Sequence, residues 1–556
     1  MKKLKIKIAQ FNTSDIKGGA ARASYRLFKG LSKIRNINIK YFVKDKKSTE
    51  ENIILLQTYN EEITTQINKN YINKLRPQIS FNKGTLFTVN LCETSFNNIE
   101  EFDIINLHWI ENFLSLNNIK ELVNFQKPII WTLHDMKPFT GGCHYSGECD
   151  KYLFDCNNCP ELINDKFNIA QKVLGLKRTI FEEANITIVS PSKWLANEAR
   201  KSTLFKKKEI HVIPNSIDKN EFKSLNKNEA KKHFGIDKNT IVLSFGVMNH
   251  EERRKGYVEL IQIFNILSKK LKDEKIIVLF FGTSTNGGLD LGVNVMNLGY
   301  ISSNEELSYI YSASDIFILP SLQDNLPNCI LEAFSCQTPI ISFDTGGAKD
   351  LINDSNGIIV PKKDIDKMCD AVLYLIKNKD IREKKGLNAR KLIEKYYQPN
   401  HQAKKYLELY TNLLSKNIKY KELSSEKVHL PYLDELLKVA MKDDLKDNDF
   451  IIDFNNTLSS ILKQIKEINS AEETYILYGY GTIANLIYPI LKDKIIAIVD
   501  VNYKNFDKSI NIYSPKDMHK FQYDKVLISV LGRETNIKEY LINEININEN
   551  VIKFLT

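Results

Sequence analysis

The chain has 556 residues, of which 43% are hydrophobic and 26% charged, and its formal net charge is +10. At about 150 residues per domain, this length predicts three or four domains. No run of 18 apolar residues occurs, which excludes a membrane-spanning helix. The basic residues are dispersed, so we expect no nucleic-acid partner. The charge fits a solvated lysine-rich surface, or one that binds lipid head groups or nucleotide phosphates.

The first twelve residues, MKKLKIKIAQFN, alternate apolar residues with lysines. This is a strand pattern, and it lacks the uninterrupted apolar stretch of a signal peptide. We therefore expect a cytoplasmic protein, with peripheral contact at the inner face of the membrane as an option. Thiols stay reduced in the cytoplasm, which argues against structural disulfides among the clustered cysteines discussed below.

Residues 1–200 alternate helical segments with short apolar, β-branched runs, which are KIKIAQF, NIKYFV, DIINLH, PIIWTL and ITIVS. Residues 201–415 repeat this alternation with TIVLSFG, IIVLFFG, VMNLG, DIFILP and PIISF, and a helix near 396–414 is expected to close the unit. Such patterns predict α/β domains with parallel sheets covered on both faces. Two successive doubly wound domains leave a cleft at the carboxyl edges of their sheets, where ligands bind.

Residues 416–472 are charged and irregular, and they predict a helical linker. Residues 473–556 then form a third, smaller α/β unit. It places Gly479, Gly481 and Ala484 as G-x-G-x-x-A between a strand and a helix, and Asp500 ends the next strand. That spacing is typical of a dinucleotide site. We favour an accessory nucleotide-binding or docking module over a second enzyme.

The second domain carries two acids on one loop and helix, with seven residues between them. Asp324 lies on the loop after a strand, and Glu332 lies on the helix that begins near Asn328. A helix N-terminus offers free backbone N–H groups to a phosphate, and a carboxylate on the helix can accept two hydrogen bonds from a ribose diol. Arg254 and Lys255 precede another helix, where a lysine would neutralise a departing diphosphate.

These motifs resemble the signature of the retaining glycosyltransferases of family 4, a family with the GT-B fold of two Rossmann-like domains. The matching stretches are PSLQDNLPNCILEAFSCQTPII, the RKG at 254–256, and GYISSNEELSYIYSASDIFILPS. The resemblance covers about residues 1–415. It implies an acceptor-side first domain and a second domain that binds a nucleotide sugar, with the third unit as an addition.

The resemblance also implies roles for single residues. Glu332 is expected to bind the ribose, Asp324 the donor sugar and Lys255 the diphosphate. Gly18 and Gly19 match a glycine loop that lets the backbone approach the phosphate and acceptor. The implied catalytic residues are Asp324, His134 and Lys255, and the implied donor-binding residues are Glu332, Arg254, Gly18, Gly19, Asn325, Leu326 and Tyr300.

Three positions depart from the family pattern. Asp324 is one methylene shorter than the usual glutamate, Asn325 replaces a glycine, and Val247 stands where many members carry an arginine. The donor sugar therefore stays open. No Asp-x-Asp pair is set beside the donor phosphate, so no metal cofactor is expected for transfer. Lysine, arginine and the helix dipole would carry the charge.

Single residues have plainer interpretations as well. Taken alone, Glu332 and Lys255 would be solvated surface residues. His134 follows a strand and could simply cap backbone groups, and His108 in INLHWIENF could line the cleft or belong to the core. The order and spacing of the motifs together favour the functional interpretation.

The loop GGCHYSGECDKYLFDCNNCPEL, residues 141–162, contains Cys143, Cys149, Cys156 and Cys159. It follows the strand that leads to His134, so we expect it on the acceptor side. Four thiolates can enclose a tetrahedral Zn²⁺, and His144 can replace one of them. With a single C-x(2)-C, the alternatives are a structural metal, zinc before iron–sulfur, or four reduced thiols packed as small apolar residues. A catalytic cysteine is disfavoured because glycosyl transfer needs no thiol.

The leading hypothesis is a retaining glycosyltransferase that moves a sugar from a UDP- or GDP-sugar to a glycan or lipid-linked acceptor in bacterial surface-polysaccharide synthesis. One alternative is a sugar-nucleotide epimerase of the same fold, which needs no separate acceptor. Another is a nucleotide- or NAD-binding protein whose function lies in the third unit.

Overall fold

The computed structural model contains three parallel sheets, of seven, six and five strands, in succession along the chain. This confirms the predicted α/β class. The residues that the structure describes are 5–77, 80–82, 89–247, 252–282, 291–416, 423, 428, 430, 433–441, 464, 467–479, 488, 491–501, 503, 511–528 and 534–554.

The first domain is a sheet covered by helices on both faces. Its strands are β1 (Ile6–Ser14), β2 (Ile37–Asp45), β3 (Ile53–Leu55), β4 (Thr58–Tyr59), β5 (Glu93–Thr94), β6 (Ile104–Leu107), β7 (Ile129–Thr132), β8 (Ile186–Ser190) and β9 (Ile210–Val212). Its helices are α1 (Gly19–Ser32), α2 (Glu61–Asn70), α3 (Leu116–Asn124), α4 (Ile169–Phe181) and α5 (Lys193–Lys201). The sheet order is β3-β2-β1-β6-β7-β8-β9, and β4 and β5 form a separate two-stranded sheet. Every residue of β6, β7 and β8 is buried, as expected for central parallel strands.

The second domain repeats this architecture with six strands. They are β10 (Ile241–Val247), β11 (Ile276–Gly282), β12 (Asn294–Asn297), β13 (Ile316–Leu319), β14 (Ile340–Phe343) and β15 (Gly357–Val360), in the order β12-β11-β10-β13-β14-β15. The helices are α6 (Lys227–His233), α7 (Tyr257–Lys270), α8 (Asn304–Ala313), α9 (Asn328–Ser335), α10 (Ala348–Leu351), α11 (Ile365–Lys377), α12 (Lys379–Tyr396) and α13 (Pro399–Ser415). The β13–α9 connection carries both predicted acids.

The border between the two domains differs from the expected one in two ways. Strand β9 pairs with β8, so the first sheet extends past residue 200. Helix α13, expected to close the second domain, packs on the first instead. Its Tyr406 and Tyr410 are fully buried in the core beside α1, and Asn106 donates a 2.9 Å hydrogen bond to the Tyr410 hydroxyl. The aromatic side chains of α13 can be buried there because Gly30 of α1 leaves room for the backbone of Pro399.

The linker and third unit are described in part. Helix α14 (Leu433–Met441) belongs to the linker, and the third unit has β16 (Tyr475–Tyr478), β17 (Ile495–Val499), β18 (Ile512–Tyr513), β19 (Lys525–Ile528), β20 (Ile552–Phe554) and α15 (Glu534–Asn543). The sheet order is β18-β17-β16-β19-β20. Gly479, with φ of 88°, follows β16, and Asp500 follows the neighbouring strand β17. Gly481 and Ala484 lie outside the described residues. Across the described helices, none has the length and apolarity to cross a bilayer.

Candidate active site

The acid Asp324 lies on the loop that follows the buried strand β13, and two cations of the same domain converge on it. Lys255 Nζ lies 2.6 Å and Arg254 Nη1 3.2 Å from Asp324 Oδ2. Both cations come from the one-turn 3₁₀ helix Arg253–Lys255, directly before α7. Asp324 is about 70 residues from Arg254 and Lys255 along the chain. The structure thus brings together three residues that the sequence analysis assigned to the donor site.

Charge decides the protonation state of Asp324. Burial alone would raise the pKa of its carboxyl, but Lys255 and Arg254 outweigh burial and hold that pKa well below its ordinary value. A carboxyl flanked by two cations stays ionised. Asp324 is therefore a fixed negative charge that can accept hydrogen bonds from sugar hydroxyls, and it cannot serve as a proton donor.

Two glycines shape the floor of this site. Gly256 has a φ of 72°, and a Cβ there would lie 1.8 Å from the Pro320 carbonyl oxygen. Gly346 has a φ of 54°, and its Cβ would lie 1.7 Å from the Asp324 carbonyl oxygen. Only glycine fits both the backbone conformation and the contact. The acid loop is therefore held against two other backbone segments of its domain.

Tyr145 of the first domain reaches across the cleft to the same acid. Its hydroxyl donates a 3.0 Å hydrogen bond to Asp324 Oδ1 and accepts one of 3.3 Å from the Asn325 backbone N–H. The Arg254 guanidinium lies 4.3 Å from the centre of the Tyr145 ring. Sequence reasoning missed this residue, although it stands in the GGCHYSG stretch. The cysteine loop, expected on the acceptor side, thus also contacts the donor side.

The second acid, Glu332, is buried on α9 and also has a partner from each domain. Tyr311 of the second domain donates to Glu332 Oε2 over 3.2 Å, and Arg26 of α1 lies 3.4 Å from Oε1. The predicted glycine loop lies at the start of the same helix, where Asn328 Nδ2 donates to the Gly19 carbonyl oxygen over 2.8 Å. Gly18, with φ of 95°, precedes α1. Neither Arg26 nor Tyr311 was foreseen.

His134 lies at the first domain's edge of the cleft and pairs with His108. Its Nε2 lies 3.0 Å from His108 Nδ1, and burial lowers the pKa of His134 to about 4. Burial also lowers the pKa of His108, so both rings are neutral at pH 7. The His134 carbonyl accepts a 3.1 Å hydrogen bond from Asn325 Nδ2, which joins the histidine strand end to the acid loop.

The remaining predicted donor-binding residues lie in different environments. Asn325 uses its side chain between the domains, because its Oδ1 also accepts a 2.7 Å hydrogen bond from the Ser192 hydroxyl. The Leu326 side chain is buried in the core of the second domain, so only its backbone could reach a donor. Tyr300 is 55% exposed on the segment before α8. The structure therefore does not bring these three side chains together around Asp324.

The four clustered cysteines line one small apolar cavity of about 20 Å³. All are free thiols; burial raises the pKa of Cys156 to about 11 and that of Cys159 to about 12. The cavity has room for a single water or ion. Within the described part of the chain, however, no three His, Cys, Asp or Glu side chains are arranged to hold a metal ion. His144 is bound elsewhere, with its Nδ1 2.5 Å from Asp135 Oδ2. The metal therefore stays a prediction.

Family models match two parts of the chain. Residues 226–392 match the model for glycosyl transferases group 1, and residues 471–553 match the model described as C2185-like, N-terminal. The first match includes Arg254, Lys255, Asp324 and Glu332. The second match covers most of the third unit.

Two curated relatives are similar to part of the chain. The putative colanic acid biosynthesis glycosyl transferase WcaC of Escherichia coli (strain K12) is 25% identical over 274 residues, which cover 48% of this chain and 64% of that protein. The capsular polysaccharide biosynthesis glycosyltransferase CapM of Staphylococcus aureus is 28% identical over 236 residues, 40% of this chain and 60% of that protein. The chain thus spans less than two thirds of the length of either relative.

The fold has counterparts among solved structures. Sucrose-phosphate synthase from Thermosynechococcus elongatus superposes with a TM-score of 0.52 at 16% sequence identity, covering 74% of this chain and 100% of that one. The chain therefore has the GT-B fold, as the sequence motifs predicted.

Proposed function

We propose that the chain is a retaining glycosyltransferase. It would move a sugar from a UDP- or GDP-linked donor to a glycan or lipid-linked acceptor in bacterial surface-polysaccharide synthesis. The observation that carries the proposal is the convergence of Lys255 and Arg254 on Asp324, with Glu332 on the helix that follows. The polysaccharide context is taken from the names of WcaC and CapM.

The donor would lie along the β13–α9 connection. Its diphosphate would contact Lys255, Arg254 and the N-terminus of α9, because these are the positive groups beside the acid loop. Glu332 would accept hydrogen bonds from the ribose, and Asp324 from the transferred sugar. Both carboxylates form ion pairs with cations of the protein. Donor binding would thus exchange partners within an existing network.

In the transfer step, the bond between the anomeric carbon and the diphosphate oxygen breaks, and a bond to the acceptor oxygen forms on the same face. The acceptor proton passes to the leaving phosphate. Lys255 and Arg254 stabilise the charge that develops on the diphosphate. The neutral His134 ring would hydrogen-bond a hydroxyl of the reacting sugar. This scheme assigns no metal ion to the transfer, and the third unit would bind a nucleotide or a partner.

Thermal-shift titrations with UDP, GDP, ADP, CMP and NAD test the donor site, because a ligand that binds only the folded state raises its melting temperature. We expect a shift with one nucleoside diphosphate. The shift should shrink in Lys255→Met and persist in Lys270→Met, a matched change at a lysine that is 49% exposed. A shift with NAD alone would contradict the proposal, and so would a nucleotide-induced shift in Lys255→Met as large as that of the unmodified protein.

Transfer itself separates the leading proposal from the epimerase alternative. Incubation with the donor that gives the shift should consume it only when an acceptor glycan or glycolipid is present. Conversion to an isomeric nucleotide sugar without acceptor would favour the epimerase.

We propose separately that the cysteine loop binds one structural zinc per chain, which would draw the four thiols of the 20 Å³ cavity together. Elemental analysis of protein purified without chelator should give about one zinc per chain, against none in a Cys156→Ser, Cys159→Ser variant. Metal-free protein with full thermal stability would contradict the zinc site and favour the alternative of four packed, reduced thiols.

A further inference from the structure

The first domain contains a second, larger cavity, of about 230 Å³, between α2, α3, α4 and the linker helix α14. Its walls are mainly apolar, and they include Ile63, Leu114, Trp131, Val173, Leu176 and Leu437. An apolar cavity of about 150 Å³ is large enough to bind benzene. This one has room for a longer hydrocarbon segment.

One end of the cavity is charged. Glu111 and Lys137 form a buried ion pair there, and Lys177 of α4 lies beside them. Lys177 is 4% exposed; its Nζ donates hydrogen bonds to the carbonyl oxygens of Lys137, at 2.6 Å, and Thr140, at 2.8 Å. Among the residues that the structure describes, no carboxylate pairs with Lys177. Glu111 pairs with Lys137, and Glu93, the other carboxylate of the cavity wall, accepts a 3.2 Å hydrogen bond from Asn117. Burial lowers the pKa of Lys177 to about 7, so an anion bound beside Lys177 would stabilise its protonated form.

The charged end backs onto the cleft. The Glu111 carbonyl accepts a 2.7 Å hydrogen bond from the Thr13 hydroxyl, just before the glycine loop. The Lys137 backbone N–H donates to Asp135 Oδ1 over 2.9 Å, and Asp135 is the neighbour of His134. The cavity and the first domain's edge of the cleft therefore share one wall.

We propose that this cavity binds the apolar chain of an anionic amphiphile, with the phosphate or carboxylate head at Lys177. The assignment of this ligand as the lipid part of the acceptor rests on the proposed function. The binding itself does not, because it depends only on the cavity and its charge. The ligand would be a single molecule seated in the cavity, which differs from adhesion of the protein surface to a bilayer.

Trp131 lines the cavity and supplies the signal for a test, because bromine atoms on a bound chain quench tryptophan fluorescence on contact. We expect saturable quenching by a brominated decyl phosphate below its micelle concentration. Decyl phosphate should compete, decanol should compete more weakly, and inorganic phosphate should not compete. Equal competition by decanol and decyl phosphate would overturn the role of Lys177. The absence of saturable quenching would overturn the cavity as a site.

Variants assign the two parts of the ligand. Lys177→Met should weaken decyl phosphate binding roughly 10- to 100-fold, the range for a hydrogen bond to a charged group. Lys206→Met, at an exposed lysine, is the control. Val173→Phe should fill the cavity and abolish quenching, whereas Val212→Phe, at a strand position that is 37% exposed, should not. Quenching that survives Val173→Phe in a folded variant would sink the proposal.

Two further measurements separate the outcomes. Binding to phosphatidylglycerol vesicles without tryptophan quenching would show surface adhesion and contradict the cavity. The nucleoside diphosphate titration does not depend on the vesicle assay or on the quenching assay. Decyl phosphate binding without a nucleotide-induced shift would support the cavity as a ligand site and contradict the proposed transferase function. A nucleotide-induced shift without decyl phosphate binding would contradict the cavity proposal alone.

Discussion

The two acids of the β13–α9 connection have opposite surroundings. Asp324 faces two cations of its own domain and receives a hydrogen bond from a neutral hydroxyl of the first domain, that of Tyr145. Glu332 receives its cation, Arg26, from the first domain and a neutral hydroxyl, that of Tyr311, from its own. Removing each negative charge should therefore have a different effect on nucleotide binding.

The two variants should differ because the donor would interact differently with each acid. At Asp324, a diphosphate competes with the carboxylate for Lys255 and Arg254. At Glu332, a ribose would add hydrogen bonds to a carboxylate that already links the two domains. Variants at the two positions therefore test whether nucleotide binding responds in opposite directions.

The largest effect is expected for Asp324→Asn. Transfer should fall by about 100-fold or more, because a preorganised charge at the reacting sugar is lost. Binding of the nucleoside diphosphate alone should become tighter, because the two cations lose their competitor. Calorimetric titration and steady-state kinetics measure the two effects. The control is Asp344→Asn, at a carboxylate that is 45% exposed. Weaker nucleotide binding would contradict the competition.

Glu332→Gln should act in the opposite direction. We expect nucleoside diphosphate affinity to fall roughly 10- to 100-fold, because hydrogen bonds to a charged acceptor are lost. Stability should fall by about 3 kcal/mol, because the buried Arg26 loses its partner. Titration and denaturant unfolding test these two effects, with the surface change Glu394→Gln as the control. Unchanged donor affinity would remove the ribose role from Glu332.

A smaller effect is expected for Tyr145→Phe, which keeps the ring under Arg254 and removes the hydroxyl from Asp324. One hydrogen bond is worth about 1 kcal/mol, so kcat/KM should fall roughly fivefold. Tyr145→Ala should cost more, since the contact with Arg254 is lost as well. Tyr374→Phe, at a tyrosine that is 46% exposed, should have no effect. Unchanged kcat/KM in Tyr145→Phe would leave the hydroxyl without a role, whereas an equal loss in both variants would leave the contact with Arg254 without one.

The smallest effect concerns pH. Burial lowers the pKa of His134 from 6.5 to about 4, so between these values the unfolded chain binds a proton that the folded chain excludes. The stability contributed by the neutral ring is present above pH 6.5 and is lost as the pH falls towards 4. Denaturant midpoints measured across this window should decline less steeply in His134→Asn. An identical pH slope would show that His134 is not buried as a neutral ring.

The short-range parts of this architecture followed from the sequence. Alternating apolar runs predicted the central strands of both large sheets, and motif order predicted the GT-B fold. The contacts among Lys255, Arg254 and Asp324 also follow from one domain's topology, because the carboxyl ends of neighbouring parallel strands β10 and β13 meet at one edge. The positions of these three side chains depend on strand order and motif spacing within one domain, and both can be predicted from the sequence pattern.

The contacts across the cleft were decided by tertiary structure alone. Arg26 and Glu332 are 306 residues apart, and Tyr145 and Asp324 are 179 apart. No periodicity or local spacing links residues at such separations. The packing of α13 on the first domain is of the same kind, since an apolar helix face does not specify which sheet will cover it. The elements and the chemistry of each domain could thus be predicted from residue patterns, whereas the docking of the two domains determines which side chains complete the site.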